Sequence, residues 1–306
     1  MAATTSPISK FIEGLRYNGR EGHWAYILHR VSGLAILLFV AIHVVDTSWV
    51  YFWPEGYGHA IDLYRSVPFL LSEYALMAAI VYHAINGLNI ILKDTFPNWW
   101  NKHLQVNSFW KIIALSVLCW LPAAYYISRN LYTYYLCANC GPSEPPVPFP
   151  GLSITYLIVP AVFIVLTGVL AYGGTFDQAL TAKAPRYVAG PGRNLETWSW
   201  LFMRWSGGLL ILLIWAHVLA NALLTGAHHI DLQYVADRWA QPLNWGATFT
   251  ILFLAVIHGA NGLRAVLADY VHGAAINRFI NVVLVIACVV LVALGAVAMI
   301  GGVRGV

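Results

Sequence analysis

Four histidines sit inside long apolar runs, and they form two matched pairs. HRVSGLAILLFVAIH carries Arg30, Ser32, Gly33 and His43, and MRWSGGLLILLIWAH repeats them 174 residues later as Arg204, Ser206, Gly207 and His217. A second pattern repeats at a shift of 175: His83, Asn86, Gly87, Leu88 and Asp94 against His258, Asn261, Gly262, Leu263 and Asp269. Ionisable groups inside apolar spans are costly and mark function. A neutral imidazole suits iron, and its other ring nitrogen can hydrogen-bond to fix the ring. Two symmetric histidine pairs are what two b-type haems with bis-imidazole ligation require.

The neighbours of these histidines suit a flat macrocycle. Gly87 and Gly262 fall one turn after their histidines and leave room for a porphyrin edge. Gly33 and Gly207, beside Ser32 and Ser206, thin the facing helices. Arg30 and Arg204 lie near the inner span ends, where haem propionates need cations.

The elements that must hold these groups follow from composition. The chain has 306 residues, 59% hydrophobic and 10% charged, against about 25% charged in ordinary soluble domains. Apolar runs long enough for about 30 Å of hydrocarbon recur. Their spacing predicts spans at 25–48, 70–93, 109–128, 153–174, 198–224, 247–268 and 279–301. Pro54, Glu55 and Gly56 punctuate the loop after the first span. The net charge of +4 is spread over loops and provides no nucleic-acid surface.

Of the 17 Lys and Arg residues, only Arg65, Arg129, Arg238 and Arg304 fall outside when the N-terminus is placed inside. That is a positive-inside bias, so a cytoplasmic N-terminus is expected. No cleavable signal is expected in the polar, mildly basic residues 1–24. A three-span unit that starts inside ends outside, so a second unit in the same orientation needs a return span. The 153–174 segment supplies it and has no counterpart in the repeat.

The expected fold is thus an all-α membrane protein of about seven transmembrane helices. Two parallel three-helix repeats are joined by the return helix, with a four-helix core around two haems. The divisions are a cytoplasmic segment 1–24, a first repeat 25–128, a linker 129–197 containing the extra helix, and a second repeat 198–306. Helix rise places His43 about 27 Å from the inner end of its span, and His217 at a similar depth. His83 and His258 lie roughly 15 Å from theirs. The outer pair is His43 with His217, the inner pair His83 with His258, and the irons are expected roughly 12 Å apart along the membrane normal.

Other ligand sets fit less well. His29/His43 and His258/His272 have the fourteen-residue spacing of another b-haem geometry. The repeat argues against it, because His29 matches Met203 and His272 lies beyond the sixth span. Of Cys119, Cys137, Cys140 and Cys288, only the CANC at 137–140 has metal-like spacing. It lacks two further ligands, and Gly141 stands where a c-type haem needs His. A disulfide or two thiols remain open there.

The residues resemble the membrane anchor of succinate:quinone oxidoreductase and quinol:fumarate reductase (respiratory complex II). HRVSG at 29–33 looks like the first-helix signature of the cytochrome b subunit, and YHAINGLNIILKD at 82–94 like its haem-ligand helix. IHGANGLRAVLADY at 257–270 resembles the small anchor subunit, with Tyr270 twelve residues after His258. The resemblance covers both halves but not 153–174, and suggests a fusion of two subunits that are separate in many members.

What the resemblance implies is specific. His83 and His258 would be inner haem ligands, and His43 and His217 the second pair of two-haem members. Arg30 and Tyr270, with Asp269 beside them, would hold menaquinone or ubiquinone at the cytoplasmic side. Tyr26 stands where some members place a quinone-contacting serine. A flavoprotein (FAD) subunit and an iron–sulfur subunit would dock on the cytoplasmic face of a bacterial inner membrane, because this chain has neither a nucleotide fingerprint nor a ferredoxin cysteine set. Lipid surrounds such an anchor, and a higher oligomer is compatible with it.

Two other classes stay open. One is the di-haem b anchor of another respiratory dehydrogenase, of hydrogenase or formate dehydrogenase type. The other is a haem-free transporter with a midplane His/Arg site. Near the outer pair, Asp46, Glu73, His228 and His229 would serve a second quinone or proton site, or be solvated loop charges.

Overall fold

A computed structural model describes residues 20–96, 102–137 and 195–305, with Glu13 and Val165 as isolated positions. The helices are α1 (Glu21–Phe52), α2 (Pro54–Tyr64), α3 (Val67–Thr95), α4 (Lys102–Leu131), α5 (Leu195–Val218), α6 (Leu232–Ala240), α7 (Pro242–Ala268) and α8 (Ala274–Gly301). Among the described residues six helical segments of 27 to 32 residues are apolar enough to cross a membrane. At about 1.5 Å per residue each exceeds the roughly 30 Å of hydrocarbon. The chain is an all-α, multi-pass membrane protein.

The six spans lie where the apolar runs predict them, and each is longer at one or both ends. α1 starts at Glu21 rather than 25 and ends at Phe52 rather than 48. Hydropathy marks only the stretch inside hydrocarbon, whereas backbone hydrogen bonding carries the helix on through the interface. The predicted 153–174 span lies outside the described residues.

Two short helices replace predicted loops. Pro54, Glu55 and Gly56 open α2 instead of breaking the chain, because a proline at the first helical position loses no hydrogen bond. α6 is opened by Asp231, whose carboxylate accepts the Tyr234 N–H at 2.8 Å. Pro68 and Pro242 start α3 and α7 in the same way.

α1, α3, α5 and α7 form a closed ring. α1 packs against α3 and α7, and α5 packs against the same two helices. α1 and α5 therefore face each other across one diagonal, and α3 and α7 across the other. α4 packs on α3 from outside, while α8 packs on α7 and α1. Close approach is allowed by glycines: a Cβ on Gly259 would meet Leu37 Cδ1 at 2.6 Å, and one on Gly295 would meet Leu252 Cδ2 at 2.6 Å.

After His217 the ring helix α5 widens into a π-helical stretch, Leu219–Thr225. It ends at Gly226, whose φ of +79° is a conformation that favours glycine. π-bulges of this kind are frequent at functional sites.

Candidate haem and quinone sites

At the inner level the two halves build the same device. His83 on α3 directs Nδ1 at the His29 carbonyl, 3.0 Å away, and at Ser32 Oγ, 3.2 Å. Ser32 gives its own proton to the His29 carbonyl at 3.0 Å. On the other diagonal arm, His258 Nδ1 lies 2.8 Å from Ser206 Oγ, and Ser206 gives its proton to the Phe202 carbonyl at 2.6 Å. Each serine thus spends its hydrogen on its own helix and offers a lone pair to the imidazole. The network assigns the proton of both rings to Nδ1, which leaves the Nε2 lone pair available to a metal.

The glycines next to these serines carry the same symmetry. A Cβ on Gly33 would come 2.8 Å from His83 Cε1, and one on Gly207 would come 3.2 Å from His258 Cε1. They let the imidazole lie close against the facing helix. Gly87 faces His29, with 3.6 Å from its Cβ position to Cε1, and Gly262 faces Met203 Cε at 3.9 Å. His29 lies flat on His83, with centroids 4.0 Å apart and planes 6° apart.

At the outer level the rings of His43 (α1) and His217 (α5) meet edge-on, with centroids 6.3 Å apart and planes at 80°. A haem held at this level would take one imidazole from each of the two helices. The His43 side chain keeps 41% of its surface accessible although it sits within the ring of helices. There is space beside it. Gly33 to His43 and Gly207 to His217 are both ten residues, so the levels differ by about 15 Å in each half, against roughly 12 Å expected.

The outer rings are anchored differently from the inner ones and from each other. His43 Nδ1 lies 3.5 Å from Thr47 Oγ1 and 3.8 Å from Asp46 Oδ1. Thr47 also donates to Asp46 at 3.3 Å, and Tyr64, from the last turn of α2, donates to the other oxygen of the buried carboxylate. Burial and the Asp46 carboxylate push the Tyr64 phenol up, so it remains a donor. His217 Nδ1 instead meets the guanidinium of Arg238, from the last turn of α6, at 3.3 Å. Arg238 also donates to Asn221 Oδ1, as does Tyr234 at 2.9 Å, while Asn221 donates to the His217 carbonyl at 2.6 Å. Burial pulls the Arg238 pKa down and the Tyr234 phenol pulls it back.

The inner quinone candidates come together from both halves. Arg30 forms an ion pair with Asp269 at the end of α7, and Tyr26 donates to Asp269 Oδ2 at 2.8 Å. The Arg30 guanidinium lies over the Tyr26 ring, 4.1 Å from its centroid. Tyr270 follows in the closing turn, its N–H bonded to the Leu267 carbonyl at 3.0 Å. Arg204, expected to meet a propionate, is held by Asp94 at 2.6 Å and lies over Trp200 at 4.4 Å.

Of the outer candidates, Asp46 lies beside His43. His228 stacks on Tyr134 at 3.6 Å, and His229 Nε2 lies 3.5 Å from the Tyr134 hydroxyl. The roles of Arg238, Tyr64, Thr47 and Asn221 escape the sequence reading; Tyr64 and Arg238 lie on α2 and α6, which are too short to register as spans and read as loops. Among the described residues no three His, Cys, Asp or Glu side chains gather as a protein-only metal centre; a bis-imidazole haem asks for two. Cys137 is disulfide-bonded, and Cys140 lies outside the described residues.

The chain is 30% identical over 121 residues to succinate dehydrogenase 2 membrane subunit SdhC of Mycobacterium tuberculosis, covering 39% of this chain and 86% of that protein. It is 42% identical over 78 residues to the succinate dehydrogenase hydrophobic membrane anchor subunit of Archaeoglobus fulgidus, covering 24% of this chain and 63% of that one. Residues 7–123 and 188–297 match the family model of the succinate dehydrogenase/fumarate reductase transmembrane subunit. The chain belongs to that family of membrane subunits.

Proposed function

We propose that this chain is a dihaem cytochrome b anchor of a succinate:quinone oxidoreductase, with both anchor units fused in one polypeptide. His83 and His258 hold the inner haem, and His43 and His217 the outer one. The flavoprotein and iron–sulfur subunits dock on the cytoplasmic face of a bacterial inner membrane, where the N-terminus also lies. Dicarboxylate chemistry belongs to those subunits, and this chain exchanges electrons with membrane quinone. The observation that carries the proposal is the anchoring of His83 and His258: both present Nδ1 to a serine on the neighbouring ring helix, from opposite corners of the ring.

A b haem, when bound, supplies a one-electron carrier whose potential its surroundings tune. The side chains orient and support it. Ser32 and Ser206 would fix the inner rings, and Thr47 and Asp46 the His43 ring. At the inner face, Arg30 provides positive charge for a quinone oxygen that gains electron density. Tyr26 and Tyr270 provide O–H donors, and the 47% exposed Asp269 carboxylate connects the site to water as a proton relay.

The test is a pyridine haemochrome count with reduced-minus-oxidised spectra. About two b haems per chain are expected. His83→Ala or His258→Ala should remove one spectral component, and His43→Ala or His217→Ala the other. Unchanged haem content in all four variants would refute the ligand assignment.

A further inference from the structure

The inner face carries a cavity that the haem and quinone candidates leave unused. Its volume is about 470 Å³, and it lies between the start of α1 and α4, lined by Arg20, Glu21, Trp24, Leu28, Phe109 and Trp110. That size falls within the roughly 300–1,000 Å³ of small-molecule sites. Trp24 and Leu28 stand two residues before Tyr26 and Arg30, about 200° around the helix. The cavity therefore lies on the other side of α1 from the Arg30–Asp269 ion pair.

The lining changes character with depth. Arg20 and Glu21 stand at the start of α1, Trp24 follows about one turn later, and Leu28 another turn on. Glu21 to Leu28 is about 10 Å of helix rise, against roughly 5–8 Å for one polar layer of a bilayer. The cavity thus reaches from headgroup depth to acyl depth. Trp24 and Trp110 are both exposed, and indoles settle at the boundary between those two layers. Leu28 and the buried Phe109 supply the apolar end.

The charged end holds one cation and one anion that do not satisfy each other. Arg20 Nε stands 3.6 Å from Glu21 Oε2, and that oxygen is shut off from solvent with no hydrogen-bond partner among the described residues. A buried acceptor left without a donor is costly, more so on a charged group. The Arg20 side chain is 65% exposed and has further N–H donors to offer. An occupant that brings N–H donors to Glu21 and an anionic oxygen to Arg20 completes both.

We propose that this cavity binds a phospholipid with an ethanolamine headgroup. Its phosphate meets Arg20, its ammonium meets Glu21, its glycerol lies by Trp24 and Trp110, and an acyl chain runs along Leu28 and Phe109. The charges select this headgroup. A primary ammonium has three N–H donors for the carboxylate, whereas a quaternary choline has none. A glycerol headgroup offers hydroxyls but no cation to offset Glu21. The inference goes beyond electron transfer and does not depend on which histidines hold haem.

The experiment is native mass spectrometry of the intact, delipidated complex in detergent. It is titrated separately with ethanolamine, choline and glycerol phospholipids of identical acyl chains. The ethanolamine lipid should bind most tightly. Glu21→Gln should lower its affinity several-fold, to the level of the choline lipid, and Arg20→Gln should weaken all three. Trp110→Ala should also weaken binding, while Trp205→Ala, an exposed indole on α5 away from the cavity, should not. Arg278→Gln, exposed in the first turns of α8, should leave every affinity unchanged. Equal affinity for the ethanolamine and choline lipids, or tighter binding of the glycerol lipid, would overturn the proposal. So would an Arg278→Gln effect as large as that of Arg20→Gln, since general charge attraction would then suffice. Unmoved affinities in both Arg20→Gln and Trp110→Ala would place the lipid elsewhere and overturn it as well.

Discussion

Arg204 of the second repeat is held by Asp94 of the first, with Nη2 to Oδ2 at 2.6 Å and Nε to the same oxygen at 2.9 Å. The reciprocal pair, Arg30 with Asp269, joins the same two positions with the halves exchanged. Each arginine also lies over the aromatic residue four places before it, Trp200 or Tyr26. The repeats are thus tied by two crossed clasps at the inner face, and the quinone candidates are one of them.

The Arg204–Asp94 clasp should contribute to stability. Its side chains are 27% and 16% exposed, and a hydrogen bond to a charged group in that setting contributes about 1.5–3 kcal/mol. Asp94→Asn should lower the unfolding free energy by an amount in that range. Breaking the Arg264–Glu196 pair, with Glu196 68% exposed, should cost below about 1 kcal/mol. Denaturant unfolding in detergent compares them; equal costs would show that Arg204 is not held chiefly by Asp94.

Gly33 and Gly207 should differ in tolerance. Alanine at 33 puts a methyl group 2.8 Å from His83 Cε1, too close without moving the ring, whereas at 207 the distance is 3.2 Å. Gly33→Ala should perturb or abolish the inner haem spectrum, Gly207→Ala should perturb it less, and Gly208→Ala, with its nearest atom at 4.0 Å, should leave it unchanged. Haem content and band position check the order.

Ser206→Ala removes the acceptor of His258 Nδ1–H. Loss of such a supporting bond weakens metal-site affinity by roughly 10–100-fold. The variant should release haem to an apo-acceptor protein faster than the parent while keeping its fold by circular dichroism. Unaltered release kinetics would mean that packing alone orients the ring.

At the quinone site, Tyr26→Phe removes the donor to Asp269, and Tyr270→Phe removes the second phenol. Each should slow quinone reduction and leave succinate oxidation by an artificial dye intact. Parallel loss of both activities would signal failed assembly instead.

His228 should make stability depend on pH. Burial chiefly, then the charges of Arg65 and His229, lower its pKa to about 4, below about 6.5 in an unfolded chain. The folded state therefore disfavours the proton, so this contribution is full above about pH 6.5 and is lost as pH falls through about 4. His228→Phe, which preserves the stack on Tyr134, should lose less thermal stability than the parent between pH 7 and pH 4.5. An identical acid sensitivity would exclude His228 as its source.

Six of the spans, the duplication and the four histidines were all legible in the residues, because apolar runs and exact spacings are local properties of a chain. The Ser–Gly step before each outer histidine was visible too. Its role was not: that Ser206 accepts from His258 depends on two helices 52 residues apart meeting at one level. The crossed pairing was hidden for a similar reason. The resemblance groups Arg30 with Asp269 at one site, but the ion pair between them, and the reciprocal Arg204–Asp94 pair, are set by the order of α1, α3, α5 and α7 around the ring. Arg238 shows the limit most clearly. In the sequence it is one charge in an outer loop; folded, it is buried against His217. Periodicity in the chain determines which segments cross the membrane and which positions recur, whereas side-chain partners across helices are decided only when packing brings those helices together.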